Sequence, residues 1–291
     1  MNLGEVLNTV FPVFALIGVG YLFGRFRRID LGSLADLVVY LAGPALIFSS
    51  LSSGDMPASS LAVLAAGTAA IVVGSGLLMK LGFSVAGRRA GALYLPAMFP
   101  NCGNMLLPLS LLAFGGDGLR YGVVIFATNL VLQSSVGVAL ASGRPRPMEI
   151  FRLPYIYAVV GALALSWGNV EVPAVVARPV ALAGDMAIPT MLISLGLRLR
   201  TVAIDSWRRP LAAALVRIGG GYAVAKIFVA LAGPEPMAAS CLLLASVMPS
   251  AVVNFIFAEK YAGESTDVAA AVVLSTLASI VTTPLLLAFG L

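Results

Sequence analysis

The sequence predicts an all-α polytopic membrane protein of ten transmembrane helices, built as two inverted five-helix repeats with a broken crossover helix in each half. Three observations predict it. The 291 residues are 60% hydrophobic and only 11% charged, with a mean hydropathy of +1.01, whereas soluble domains are about 45–50% apolar and about 25% charged. Ten apolar stretches follow one another, each close to the about 20 residues that a spanning helix needs. Proline-centred polar breaks in the first half recur in the second half at a nearly constant spacing.

A soluble protein of this size requires a polar shell that this composition cannot supply, and the length leaves no room for a separate soluble domain. The net charge of +5 does not point to nucleic acid, because the basic residues form short clusters between apolar runs, as membrane topology requires. Cys102 and Cys241 lie inside apolar stretches, and offer neither a disulfide framework nor metal spacing. The absence of histidine excludes His-based catalysis and proton relays. Gly184-Asp185 matches half of an intramembrane aspartyl-protease site, but no second stretch carries a central acid. Channels often show repeated pore loops or charged rings, and nothing in the sequence suggests either, which leaves a channel or a non-transport membrane protein as a remote alternative. No enzyme activity, metal or cofactor is expected. The N-terminus has no positive n-region and no small-residue cleavage site, so its apolar run reads as a retained helix.

Taken in order, segment one covers 6–24 and stops at Arg25, Arg27 and Arg28. Segment two, 33–53, contains Pro44. Segment three, 59–80, carries Gly74-Ser75-Gly76, read as a close helix-packing surface. Segment four, 91–114, is interrupted by Pro96, Pro100 and Pro108. Segment five, 119–141, is polar in its second half. The longest polar break, 142–152, divides the halves, 1–143 and 152–291. Segment six covers 152–168, and segment seven, 173–197, contains Pro189. Segment eight, 208–231, carries Gly219-Gly220-Gly221. Segment nine, 236–258, is interrupted at Pro249, and segment ten covers 267–289.

Lys and Arg concentrate on alternate links: Arg25, Arg27 and Arg28; Lys80, Arg88 and Arg89; Arg144, Arg146 and Arg152; Arg198, Arg200, Arg208 and Arg209; and Lys260. The opposite links carry only Arg120, with Arg178 near the outer end of segment seven. The basic side is cytoplasmic by the positive-inside rule, which places both termini outside an inner membrane. The pairs Pro44/Pro189, Pro100/Pro249 and Thr128/Thr276 lie 145, 149 and 148 positions apart. Five segments per half is odd, so the second half enters from the opposite side, an inverted repeat.

Segments four and nine carry the candidate site. Proline lacks an N–H and clashes with the carbonyl four residues back, so Pro100, Pro108 and Pro249 are expected to free the carbonyls of Pro96, Asn104 and Ala245. A freed carbonyl in lipid needs protein, water or ligand. Asn101, Gly103 and Asn104 beside Pro100, and Ser250 and Asn254 beside Pro249, supply polar atoms at the same depth. Paired broken helices in matching positions point to a transport site; the alternative is two structural kinks packed against their neighbours.

Segment four with the Gly-rich turn that follows it, Ile188-Pro-Thr-Met-Leu-Ile-Ser-Leu-Gly196, the stretch from Ala245 to Gly263 around Met248-Pro-Ser-Ala-Val-Val-Asn254, and Val273–Pro284 together resemble the auxin efflux carrier family, in its compact bacterial form. The resemblance covers nearly the whole chain. It implies a secondary carrier in which segments one, two, six and seven form a scaffold and homodimer contact. Segments three to five and eight to ten then form a transport domain, with four and nine crossing at their prolines. It implies a small organic anion, such as a mono- or dicarboxylate. Sodium-coupled bile-acid-type symporters share the architecture and are the alternative.

Ionisable and polar residues elsewhere in the segments are candidates for coupling to H+ or Na+. Asp185 and Arg217 both fall near mid-depth, where a charge costs about 2.5–3.5 kcal/mol to insert, so they are expected to pair with one another or to line water. In the functional reading Arg217 or Lys226 attracts the anion and Asp185 is a proton or cation site; the alternative is a structural ion pair, or snorkelling of Lys226 to the interface. Asn129, Gln133, Ser275 and Thr276 either line an ion site beside the crossover or join helices by hydrogen bonds.

Overall fold

A computed structural model of the protein describes residues 2–52, 56–87, 90–146, 148–200, 206–263 and 265–290. Arg88 and Arg89, two of the basic residues used for orientation, lie outside the described residues. Among the described residues the chain is helical throughout, and its β-type pairing is a single antiparallel bridge between Pro100 and Ser250. Seven helices among the described residues are long and apolar enough to cross a membrane. Large apolar side chains such as Leu3, Phe11, Leu81, Val85, Val175, Leu231 and Phe289 face outward, as lipid contact demands.

The first helix, α1 (Leu3–Phe26), starts in a capping box: Asn2 Oδ1 accepts the Glu5 N–H and Glu5 Oε2 accepts the Asn2 N–H, both at 2.9 Å. Each bond occupies one of the donors that a helix start leaves without an intrahelical acceptor. In α2 (Leu31–Ser52), Asp30 caps the Gly32 and Ser33 N–H groups at 3.1 Å. Those bonds stabilise the Asp30 carboxylate and lower its pKa, the Ser33 hydroxyl contributing most. A wide π turn, Val38–Ala42, precedes Pro44, with the Gly43 N–H reaching back five residues to the Val38 carbonyl. A residue that cannot donate follows immediately, and the widened turn redistributes the ladder around it.

Helix α3 is Ala58–Val85. Residues 91–98 form α4, a 3-10 turn Gly91–Leu93 leading into Tyr94–Met98. The next helical run, α5, spans Cys102–Ser142, 41 residues. At 1.5 Å per residue a straight helix of that length would measure about 60 Å, twice a bilayer core of about 30 Å. It is not straight. Gly115 adopts φ 70°, ψ −158°, a conformation open to glycine and strained for L side chains, and the run doubles back there. A Cβ on Gly122 would lie 3.0 Å from Ser110 Oγ, and one on Gly103 would lie 3.2 Å from the Phe126 ring, so residues roughly equidistant from Gly115 face one another across two antiparallel limbs. The predicted segment four is therefore α4, a break and the first limb of α5, and predicted segment five is the second limb.

After a single turn at Met148–Phe151 come α6 (Pro154–Trp167), α7 (Ala174–Leu199, bent at Met186), α8 (Arg208–Ala232) and α9 (Pro236–Ser246). Residues 253–262 form α10, ending in a π turn Ala258–Ala262, and Thr266–Phe289 is α11. Helix α1 packs along α7, and α2 packs against α6 and α7. Helix α3 packs against α5 and α8, α8 against α11, and α9 against α5. The α1–α7 contact is backbone to backbone: a Cβ on Gly20 would lie 2.2 Å from the Ile193 carbonyl oxygen, and one on Gly196 would lie 2.0 Å from that of Ile17. Within membranes, where lipid is as apolar as leucine, such small-residue contacts let helices gain dispersion energy at close range. Gly74, Gly76, Gly220 and Gly221 likewise face Val224, Met98, Leu78 and Arg217, while Gly219 faces open space.

Candidate functional site

The two breaks meet. Proline at 100 and 249 ends the regular ladder of α4 and α9, and the chain runs extended for a few residues before α5 and α10 begin. The two extended stretches lie antiparallel: the Asn101 N–H donates to the Pro249 carbonyl at 2.7 Å, and the Ala251 N–H donates to the Phe99 carbonyl at 3.1 Å. Backbone groups that a broken helix would leave unsatisfied thus satisfy one another across the crossing.

This corrects the expectation for Ala245, whose carbonyl is not free: it accepts the Met248 N–H at 3.2 Å in a tightened last turn. The carbonyls turned inward are instead Ala97, Met98, Phe99, Pro100 and Ser246. Sequence reasoning missed these, because it counted only the oxygen four residues behind each proline.

Side chains close around the crossing. Asn254 is fully buried. Its Nδ2 donates to the Phe99 carbonyl at 3.0 Å and to Ser250 Oγ at 2.9 Å, and its Oδ1 accepts from Gln133 Nε2 at 2.7 Å. The Ser250 N–H donates to Ser275 Oγ at 3.0 Å, and Ser275 and Thr276 both donate to the Val272 carbonyl. Asn101 Oδ1 caps the start of α5 by accepting the Asn104 N–H at 3.2 Å. Asn129 Nδ2 lies 3.4 Å from the Pro100 carbonyl. Gly103 and Asn104 are half-buried beside this cluster.

Two amide atoms here have no partner: Asn101 Nδ2 and Asn129 Oδ1. A buried donor left unsatisfied costs about 1–3 kcal/mol. The crossing therefore holds a buried donor and a buried acceptor of a kind that a polar ligand can satisfy.

Arg217 enters from the π turn Val216–Gly220 of α8. Asp185 and Arg217, for which pairing is one of the arrangements the sequence leaves open, do not pair. Arg217 is fully buried and donates to three backbone carbonyls: Nη1 to Met98 at 2.6 Å and Ala97 at 3.3 Å, and Nη2 to Ser246 at 3.1 Å. Asp185 sits exposed at the bend of α7. The guanidinium took the carbonyl ends of α4 and α9 in place of a carboxylate. Lys226 also lies away from the crossing, exposed, with Nζ donating to the Gly290 carbonyl at 3.1 Å. The structure thus gathers Pro100, Asn101, Asn129, Gln133, Arg217, Pro249, Ser250, Asn254, Ser275 and Thr276, with Gly103 and Asn104 at the edge, and leaves out Asp185 and Lys226.

At another corner Glu235, ahead of α9, accepts from Ser60 Oγ at 2.6 Å and Tyr121 Oη at 2.5 Å. Those two bonds favour the charged carboxylate and hold its pKa below the ordinary 4.5.

Residues 5–150 and 139–287 match the family described as membrane transport protein. The chain belongs to that family. This is the auxin efflux carrier family that the motifs around Pro100, Pro189, Pro249 and Pro284 resemble, and the protein is a membrane transporter and not an enzyme. The transporter is also similar to an uncharacterized transporter of Methanocaldococcus jannaschii, at 24% identity over 292 aligned positions that cover 93% of this chain and 94% of the relative.

Proposed function

We propose that the transporter carries a small organic anion, a mono- or dicarboxylate, through an inner membrane by alternating access, with its substrate held at the crossing of the two breaks. The observation that carries this reading is the buried, unpartnered Asn101 Nδ2 beside the Pro100–Ser250 bridge. A carboxylate oxygen would accept from it and relieve its desolvation. Helix starts at Cys102 and Val253 add the positive ends of backbone dipoles, which favour an anion without a formal countercharge. Such a site binds moderately and releases, as a carrier must.

In this reading the chain crosses the bilayer ten times as two inverted five-helix repeats, 1–143 and 152–291, with both termini outside. The antiparallel bridge at the centre supports it, since a two-fold axis in the membrane plane brings equivalent residues of the halves together head to tail. Helices α1, α2, α6 and α7 form the scaffold and the homodimer contact. Residues 58–142 and 208–289 form the moving unit. The packing of α1 on α7 and of α3 on α5 and α8 supports that division.

Counterflow in proteoliposomes tests the substrate claim without assuming a coupling ion. Vesicles preloaded with individual mono- and dicarboxylates are challenged with labelled acid, using wild type and Asn101→Ala. That variant loses one helix-capping bond, worth about 1 kcal/mol, and should stay folded. Exchange of one acid, lost in Asn101→Ala, is expected. Absence of exchange with every acid would remove the carboxylate reading and favour a sodium-coupled symporter of another solute; exchange unaffected by Asn101→Ala would move the site away from the crossing.

A further inference from the structure

Among the described residues Arg217 is the single buried side chain that carries a formal charge. The ion pairs found there are Arg120–Asp117, Arg152–Glu149 and Arg209–Asp267; none of them involves Arg217. Its countercharge is backbone. Ala97, Met98 and Ser246 supply the last carbonyls of α4 and α9, and all three accept from its guanidinium. A helix C-terminus carries partial negative charge, and two of them face this one guanidinium. The place is also shaped for it. A Cβ on Gly221 would lie 2.3 Å from Arg217 Nη2 and 2.8 Å from the Ser246 carbonyl oxygen, so the space that the guanidinium fills depends on glycine one turn away on the same helix.

Carbonyl oxygens at the C-terminal ends of interrupted helices are the ligands with which many secondary carriers hold a coupling Na+. Here they are already occupied by a cation that cannot leave. We infer that Arg217 is a built-in substitute for a coupling cation: its guanidinium permanently fills a latent monovalent-cation site formed by the Ala97, Met98 and Ser246 carbonyls, so the carrier cycles without sodium. The inference rests on the crossing as the transport site. A tethered charge carries no gradient energy. The site keeps the electrostatic balance that lets the two helix ends meet, and gives up sodium as a source of drive.

The test uses the purified full-length protein in detergent, with thermal unfolding at constant ionic strength in NaCl, choline chloride or methylguanidinium chloride. Wild type should unfold at the same temperature in Na+ and choline, and its counterflow should differ by less than about twofold between them. Arg217→Ala, which exposes the carbonyl cage, should unfold earlier in choline and recover about 5 °C or more in saturating methylguanidinium, with partial recovery in Na+. No recovery by either cation, or wild-type counterflow that needs Na+, overturns the inference. If Arg217→Ala does not fold, Arg217→Lys against Arg217→Met decides. A folded lysine variant indifferent to Na+ beside an unstable methionine variant supports the inference; equal stability of the two overturns it. Unfolding needs no substrate, so cation rescue without any carboxylate exchange would sink the substrate proposal alone. Carboxylate exchange without cation rescue would sink this one alone.

Discussion

The Gln133–Asn254 bond offers the sharpest energetic test of the crossing. Both side chains are buried, at 3% and 0% exposure, and the bond is 2.7 Å long. Replacing Asn254 by Leu removes the acceptor of Gln133 Nε2 and leaves that donor buried, which costs about 1–3 kcal/mol. The Phe99 carbonyl keeps the Ala251 N–H, so it is not orphaned and adds little. Replacing Gln133 by Leu strands Asn254 Oδ1 at a similar cost. In the double variant neither stranded group remains, so the two penalties should not add. The double-mutant coupling should be about 1–2 kcal/mol, read as an unfolding temperature about 3–6 °C above the additive expectation. Unfolding of a membrane protein is commonly irreversible, so all four proteins are compared at one scan rate. Additivity within about 0.5 kcal/mol would refute the claim that this bond holds α5 to the crossing.

Further outcomes follow from other contacts. Gly196→Ala places a Cβ 2.0 Å from the Ile17 carbonyl oxygen and should destabilise by about 1–3 kcal/mol or more, whereas Gly18→Ala, with nothing within 4 Å, should be neutral or stabilise by up to about 1 kcal/mol; unfolding temperatures of the pair check both. Glu235 has a folded pKa below 4.5 because Ser60 and Tyr121 donate to it, so the unfolded chain binds its proton first as pH falls. Its stabilising contribution is complete above pH about 4.5 and is lost as pH drops through the lower folded value. Glu235→Gln should therefore show a flatter fall in unfolding temperature than wild type in that acidic window, with little change in slope at neutral pH. Asn101→Ala should lose counterflow while unfolding within a few degrees of wild type, since it removes one cap of about 1 kcal/mol.

How much of this was readable from sequence depends on where each interaction keeps its signature. Helical runs show themselves as apolar stretches, because lipid requires them residue by residue, and the boundaries of α1, α3 and α8 fall within about five residues of those read from the chain. The prolines at 100 and 249 announce the two breaks, because a missing N–H is a property of the residue itself. The partners of the breaks announce nothing. The bridge joining Asn101 to Pro249 and Phe99 to Ala251 is made by backbone, and backbone is the same in every residue. The π turns at Val38–Ala42, Gln133–Gly137 and Val216–Gly220 are equally silent in composition. Arg217 falls between the two cases. Its identity marks a costly buried charge, and the neutralising group visible in the sequence is Asp185, since sequence displays carboxylates and hides dipoles. A charge in a membrane segment is better asked first which interrupted helices end beside it. Two C-terminal ends, each with partial negative charge, meet this one guanidinium, and that arrangement explains how Arg217 is held in this chain without an acidic partner.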